Sequence, residues 1–319
     1  MQIRFWGTRG SLPVAASGAA VREKIKQALL LADGRRFEDA TAADRFIDQA
    51  LDFPTRHGYG GDSSCVEIIA GPAATICDMG SGLRRYGRQV LAEHGTAPRE
   101  YHVFMSHPHW DHIMGLPFFT PAYIPGNTIR IYGGHRVEQM QTAFVKQQSP
   151  PNFPVHWDQM GADIDFVNLA VDTWHEIAGL RVKLMRQTHH GGSFGYRFEK
   201  DGRAVVYATD SEHKQQDDGQ AGAVGAFFDR ADLVIFDAMY SLADMVTVKE
   251  DWGHSSNIIG VDLCLQAKVK HLCLFHHEPA YSDEMIHQVL LDTRRYAELV
   301  GEGQHLEIST AYDDLLIPL

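Results

Sequence analysis

The sequence predicts an α+β protein built as a four-layer αββα sandwich. Segments with the patterns of β-strands come in two runs, and segments with helical periodicity interrupt and close each run. No repeat, low-complexity tract or linker divides the 319 residues. Strand-rich halves of this kind pack their sheets together and place helices on the outside. We therefore expect a single domain over 1–319.

The first run of strands contains two helical interruptions. Apolar alternation ends at Gly7, and Asp33-Gly34 breaks a stretch that is otherwise helical over 19–50. Residues 102–112 begin as a buried strand and continue as a polar loop. The expected strands are 1–7, 65–71, 73–80 and 128–134, and the expected helices are 20–32, 40–51, 82–94 and 137–148.

The second run closes with two helices. A final amphipathic helix is expected at 282–299, and another with helical periodicity at 256–268. The expected strands are 164–169, 180–188, 194–199, 203–208, 233–240 and 271–277.

The composition narrows the class of protein. Lys and Arg number 29 against 41 Asp and Glu, a net charge of −12, which disfavours binding to the backbone of nucleic acids. The four cysteines show no CxxC spacing, so neither a disulfide scaffold nor a thiolate zinc site is expected. Without a signal-like N-terminus or a long apolar run, we expect a cytoplasmic protein with no membrane association. A homodimer stays open as an assembly.

The motif HPHWDH at 107–112 is the strongest chemical signal. Three histidines and one aspartate lie within six positions, directly after a predicted strand. Imidazole and carboxylate suit zinc and similar divalent ions. His107 and His109 could face one ion while Asp111 and His112 face a second, about 3.5–4 Å away.

Four further stretches place a His or Asp next to the end of a strand or the start of a helix. Each stretch alone is weak evidence for a metal site. Together with HPHWDH, they form the set of side chains that a binuclear centre requires. The stretches are THHGG at 188–192, ATDS at 208–211, GHSS at 253–256 and FHHE at 275–278.

These motifs resemble the metallo-β-lactamase-fold hydrolases. FWGTRGS, YGGDSSCVEI, CDMGSGLR, HHGGSFGY and LFHHEP are most similar to the branch with cyclic phosphodiesterase-like proteins and tRNA 3′-processing ribonucleases. The resemblance implies two divalent ions, with zinc first and manganese or iron as alternatives. It implies seven ligands, with His189 preferred over His190 by its spacing from Gly195 and His276 preferred over His277. The ligands are His107, His109, His189, Asp111, His112, Asp210 and His276.

The resemblance also implies roles around the ions. Asp210 matches a bridging ligand, and His254 matches a histidine that assists phosphodiester cleavage. Asp78 matches an aspartate that orients a ligand histidine. We expect Asp111, Asp210 and His254 to act in catalysis, with metal-activated hydroxide as the nucleophile.

Two features depart from the branch or extend it. The loop that usually reads GGNTS is GGDSS here, so Asp62 and Ser63 are expected to contact the substrate. A helical insertion at about 15–57 could form a cap, a dimer surface or a neutral addition. Phe119, in a Pro-bounded aromatic segment, could stack on a base or ring, and ordinary loop packing is the alternative.

The expected function is that of a binuclear metal-dependent phosphodiesterase for a small or cyclic nucleotide-like substrate. We expect no nucleic-acid partner, because the chain is acidic and has no basic, Gly-rich arm. The alternatives are a carbon-ester hydrolase such as a lactonase, thioesterase or β-lactamase, a tRNA 3′-processing endonuclease, and a metal-bound regulatory protein with little turnover.

Overall fold

Two seven-stranded sheets form the framework of the protein. The computed structural model describes residues 1–213, 218–240 and 253–319. The first sheet has the order β14-β1-β2-β3-β4-β5-β6 and the second β13-β12-β11-β10-β9-β8-β7. The strands are β1 (Gln2–Gly7), β2 (Cys65–Ile69), β3 (Ala74–Cys77), β4 (Glu100–Phe104), β5 (Thr128–Gly133), β6 (Asp163–Asn168), β7 (Trp174–Ile177), β8 (Leu180–Gln187), β9 (Ser193–Lys200), β10 (Arg203–Ala208), β11 (Leu233–Asp237), β12 (His271–Phe275), β13 (Glu307–Thr310) and β14 (Leu316–Pro318).

Helices cover the outer face of each sheet. Three separate apolar clusters lie between the first sheet and its helices, between the two sheets, and between the second sheet and its helices. This layering confirms the predicted αββα sandwich. The helices in the described parts of the chain are α1 (Gly18–Ala32), α2 (Ala40–Ala50), α3 (Phe53–Arg56), α4 (Leu83–His94), α5 (Trp110–Ile113), α6 (Val137–Gln147), α7 (Asp218–Phe228), α8 (Asn257–Gln266) and α9 (Asp283–Val300).

Parallel strands bring several strand ends to the same edge. In the first sheet β3 to β6 are parallel, and in the second β10 to β13 are parallel. Parallel neighbours need crossovers, and α4, α6, α8 and α9 supply part of them. Chain segments that leave the carboxyl ends of these strands therefore emerge on one side of the sandwich.

Local sequence signals set the helix ends. Ser282 precedes α9, and its side chain accepts a hydrogen bond from the backbone N–H of Met285. Ser256 precedes α8, and its side chain accepts from the backbone N–H of Ile259. Gly95 ends α4 in the left-handed region at φ 64°, a conformation that suits glycine.

Most of the expected elements are present, with bounds shifted by one to three residues. The sequence analysis did not predict β7, β13, β14, α7 or the short helices α3 and α5. The expectation of a polar loop in the later part of 102–112 is wrong at 110–112, where α5 forms. Within the described helices, none is both long and apolar enough to cross a lipid bilayer.

Candidate metal centre

Seven histidine and aspartate side chains converge where the edges of the two sheets meet. His107 and His109 lie on the loop after β4, and Asp111 and His112 lie on α5. The other three come from the second sheet. They lie one or two residues after the ends of β8, β10 and β12, and they are His189, Asp210 and His276.

The first group of potential ligands contains three imidazoles and one carboxylate oxygen. His189 Nε2 lies 3.2 Å from His109 Nδ1 and 3.6 Å from Asp210 Oδ1. His107 Nε2 lies 3.7 Å from the same oxygen of Asp210. The four donor atoms thus surround one point.

The second group uses the other oxygen of the same aspartate. Asp210 Oδ2 lies 3.2 Å from His112 Nε2 and 3.3 Å from His276 Nε2. Asp111 Oδ2 lies 3.1 Å from His112 Nε2 and 3.3 Å from His276 Nε2. Asp210 is therefore shared, with one oxygen in each group.

These separations fit two divalent ions. Nitrogen and oxygen ligands at about 2.0–2.1 Å from a tetrahedral ion are about 3.3 Å from one another. Nε2 of His107 and of His112 are buried and have no hydrogen-bond partner in the described structure, as expected of atoms that bind an ion. Burial, and next the charge of His112, hold the pKa of His107 well below its usual value, which keeps the imidazole in the neutral form that ligates.

Asp78 anchors the second group from behind. Its Oδ2 accepts hydrogen bonds from His112 Nδ1 at 2.8 Å, Ser106 Oγ at 2.7 Å and Tyr207 Oη at 2.7 Å. Its Oδ1 accepts another from the backbone N–H of Ser106. The bond to Nδ1 leaves Nε2 of His112 facing Asp111 and Asp210. That Asp78 orients a ligand histidine stays a prediction.

Three residues of the centre have left-handed backbone conformations. The φ angles are 60° at Asp78, 51° at Asp210 and 62° at His276. Such angles are uncommon outside glycine, although Asp and His adopt them more readily than most residues. Each of these residues lies one or two positions after the end of a strand, where the chain turns.

The structure separates the members of the two adjacent histidine pairs. His189 faces the first group, whereas His190 is exposed and its ring centre lies 6.5 Å from that of His189. His276 faces the second group. His277 Nε2 instead donates to the carbonyl of Ala311 at 2.8 Å, and burial lowers the pKa of His277 to about 3.

A buried histidine–aspartate pair borders the centre. His254 Nδ1 lies 2.7 Å from Asp237 Oδ2, and the His254 ring is stacked 5.2 Å from the ring of His276. Burial by itself lowers the pKa of His254. The charge and the hydrogen bond of Asp237 outweigh this effect and raise the pKa from 6.5 to about 9. The sequence analysis missed Asp237. Its signal was an acidic residue at the end of the apolar run LVIF.

Asp62 and Ser63 support the ligand loop. Ser63 is fully buried, and its hydroxyl donates to the carbonyl of Asp111 at 2.8 Å. Asp62 Oδ1 accepts from Ser81 Oγ at 2.7 Å. The expected substrate contact does not fit Ser63, because burial and these bonds make it a positioning residue. The N-terminal loop also contributes, since the backbone N–H of Ser11 donates to Asp111 Oδ2 at 2.9 Å.

The expectation for Phe119 is wrong. This ring is fully buried and packs against Tyr86 and Tyr101, so no substrate can stack on it. The preceding ring, Phe118, is the exposed one. Phe118 ends the short 3₁₀ turn at Leu116–Phe118, and Phe119 is the residue that follows it.

Comparisons with known proteins agree with this architecture. Ribonuclease BN of Proteus mirabilis (strain HI4320) is 23% identical over 252 residues, which are 64% of this chain and 79% of that protein. The metallo-β-lactamase fold protein YhfI of Bacillus subtilis superposes with a TM-score of 0.64 at 17% identity, covering 99% of this chain and 97% of that one. A diphosphatase of the PhnP family superposes with a TM-score of 0.61 at 16% identity, covering 100% and 97%.

A family model assigns the chain more directly. The model of the β-lactamase superfamily domain matches residues 76–277, which include all seven residues of the two groups. That match covers more than half of the chain, and the superposed structures share its fold. This chain therefore belongs to the metallo-β-lactamase superfamily of hydrolases.

Proposed function

We propose that the chain is a binuclear metal-dependent phosphodiesterase acting on a small or cyclic nucleotide-like substrate. The observation that carries this proposal is the Asp237–His254 pair beside the centre. An alkoxide leaving group needs a proton, and a histidine held protonated by a buried carboxylate can donate one. A carbon ester or lactam needs this donor less.

We assign the two ions to the two groups of side chains. His107, His109 and His189 would hold the first ion, and Asp111, His112 and His276 would hold the second, with Asp210 shared between them. Zinc is our first expectation because each group offers four nitrogen and oxygen ligands, the number that zinc usually binds in proteins. When bound, a pair of such ions lowers the pKa of water and stabilises developing negative charge.

The chain's own residues would then control the proton and the geometry. Asp237 accepts the Nδ1 proton of His254 and thereby leaves Nε2 as the nitrogen that delivers a proton to the leaving oxygen. Asp78 fixes the ring of His112 in the same manner. Both carboxylates are fully buried, so water does not compete for these bonds.

The comparison with ribonuclease BN favours a second candidate, a ribonuclease. The reaction would be the same cleavage of a phosphodiester, but the substrate would be a polymer. The net charge of −12 weighs against a polyanionic substrate. Cleavage of an RNA transcript, with little turnover of small diesters, would favour this candidate.

Metal content measured beside turnover tests the proposal. The substrates are bis(p-nitrophenyl) phosphate and a panel of 2′,3′- and 3′,5′-cyclic nucleotides. We expect about two ions per chain, as the two groups require, together with diester turnover. Two ions without turnover of any diester would overturn the phosphodiesterase assignment, and a protein that takes up no zinc or manganese would overturn the metal assignment.

A further inference from the structure

A cavity of about 1040 Å³ lies beside the ligand loop. Pro108 and Trp110 line it, and in the sequence they alternate with His107, His109 and Asp111. Neighbouring Cα atoms are about 3.8 Å apart, so the cavity borders the segment that carries these potential ligands, although none of them lines it. A substrate bound at the ions could therefore extend into this cavity.

Aromatic rings form the apolar wall of the cavity. Trp110 is 62% exposed and Phe118 is 56% exposed, which is unusual for side chains of this size. Phe153 packs its ring against Phe118 at 5.5 Å in a T-shaped geometry. Exposed, supported rings of this kind provide a surface on which a planar group can stack.

Two cations from different elements converge on the same cavity. Arg84 comes from α4 and Lys146 from α6, and no carboxylate is among the lining residues in the described structure. The neighbouring Arg85, by contrast, forms ion pairs with Asp313 and Asp314. In a chain of net charge −12, a cavity lined by two cations and no acid favours an anionic occupant.

Hydrogen bonds hold the two sides of the cavity in place. Gln147 Nε2, on α6, donates to the carbonyl of Ile113, on α5, at 2.8 Å. Asn152 Nδ2 donates to the carbonyl of Lys146 at 3.2 Å. Helix α6, which carries Lys146, is therefore tied to the ligand helix α5 and to the segment that contains Asn152 and Phe153.

We propose that this cavity binds the part of the substrate beyond the scissile diester, a planar aromatic group that carries a second anionic group. Trp110 and Phe118 would stack on the ring, and Arg84 and Lys146 would bind the second anion. The inference rests on the proposed function, which places the diester at the ions. It narrows the substrate class to aryl or nucleoside diesters with an additional phosphate or carboxylate.

Equilibrium binding to the zinc-loaded protein tests this proposal without requiring turnover. Calorimetry would compare inorganic phosphate, adenosine 5′-monophosphate and adenosine 3′,5′-bisphosphate. Each probe offers one phosphate to the ions, so ratios of Kd report the cavity. We expect the monophosphate to bind about tenfold more tightly than phosphate through stacking. The bisphosphate should gain roughly another tenfold through its second charge.

Surface variants identify the residues responsible. Arg84→Ala and Lys146→Ala should give the bisphosphate the same Kd as the monophosphate. Lys146→Glu should make the bisphosphate bind more weakly than the monophosphate. Trp110→Ala and Phe118→Ala should remove the advantage of the monophosphate over phosphate. Arg88→Ala is the matched control, because Arg88 is also exposed on α4 but does not line the cavity.

The outcomes separate this inference from the proposed function. If the three probes bind alike, or if Arg88→Ala acts like Arg84→Ala, the cavity is not the binding site for the remainder of the substrate. Turnover of bis(p-nitrophenyl) phosphate in the same preparation would leave the phosphodiesterase assignment intact in that case. Selective binding of the bisphosphate without turnover of any diester would support the cavity and overturn the catalytic assignment.

Discussion

At the scale of single residues, His254 is the histidine beside the centre that we do not assign to an ion, and the buried carboxylate of Asp237 holds its Nδ1. We expect His254→Ala to retain the metal ions and to slow phosphodiester turnover by roughly 10²–10⁴-fold, the usual contribution of general acid–base catalysis. Metal analysis and kcat for bis(p-nitrophenyl) phosphate provide the two measurements. Unchanged turnover would remove His254 from the mechanism.

The adjacent residues His189 and His190 form a natural pair of matched variants. His189 lies within 4 Å of two other side chains of the first group, whereas His190 is exposed. His189→Ala should therefore lose the first ion and most activity, and His190→Ala should keep two ions per chain. If His190→Ala is the variant that loses the ion, our assignment of the ligand is reversed.

Asp78 is predicted to act on metal affinity through His112. Asp78→Asn replaces an acceptor of four hydrogen bonds with an amide that presents two N–H donors. We expect metal affinity to fall by roughly 10–100-fold. Tyr207→Phe is the milder control, since it removes one donor and leaves the carboxylate in place. Equal metal affinity in Asp78→Asn and the wild type would show that His112 needs no support.

At the scale of elements, β4 connects the ligand loop to the core between the sheets. Phe104 is fully buried and contacts Tyr196 and Phe198 of the opposite sheet, with ring centres at 5.5 Å and 5.0 Å. We expect Phe104→Ala to lower the free energy of unfolding by roughly 3–5 kcal/mol, because it removes a large buried ring and leaves a cavity. Denaturant unfolding would measure it.

Phe118→Ala is the control for Phe104→Ala, because it removes the same side chain from an exposed position. Phe118 is exposed, so its removal should change the free energy of unfolding by only about 0.5 kcal/mol. A loss of similar size in both variants would contradict the assignment of β4 to the inter-sheet core.

The elements that the sequence analysis missed are three short strands at sheet edges, the four-residue helices α3 and α5, and helix α7. β13 and β14 contain four and three residues and lie at the ends of their sheets. Strands this short have too little alternation to detect, and their pairing with β12 and β1 determines them instead. The long periodic helices α4 and α9 were predicted within one residue at each end.

At the scale of the whole molecule, Asp313 links segments that are far apart in the sequence. Its carboxylate accepts hydrogen bonds from the backbone N–H groups of Gly61 and Asp62 and from Thr8 Oγ1. Burial raises the pKa of Asp313 from 3.8 to about 6. The folded protein therefore favours the protonated carboxyl more than the unfolded chain does.

The sign of the pH dependence follows from this shift. A raised folded-state pKa contributes stability that is complete below the unfolded value and is lost as the pH rises through the folded value. As the pH rises from about 4 to about 6, the wild type should therefore lose up to about 3 kcal/mol of unfolding free energy relative to Asp313→Asn, which has no carboxyl group at this position. Denaturant unfolding at several pH values measures it, and a difference that does not vary with pH would contradict the shift.

The αββα sandwich and the family were predictable from the order of apolar segments and from HPHWDH, and both are confirmed. Periodicity reports which face of a segment is buried, and a dense ligand motif is local in the chain. The Asp237–His254 pair and the exposure of Phe118 rather than Phe119 became visible only in the folded chain. The reason is physical. The direction of a side chain depends on the turn that follows its strand and on how the two sheets pack together, and the residue type at a single position determines neither of these.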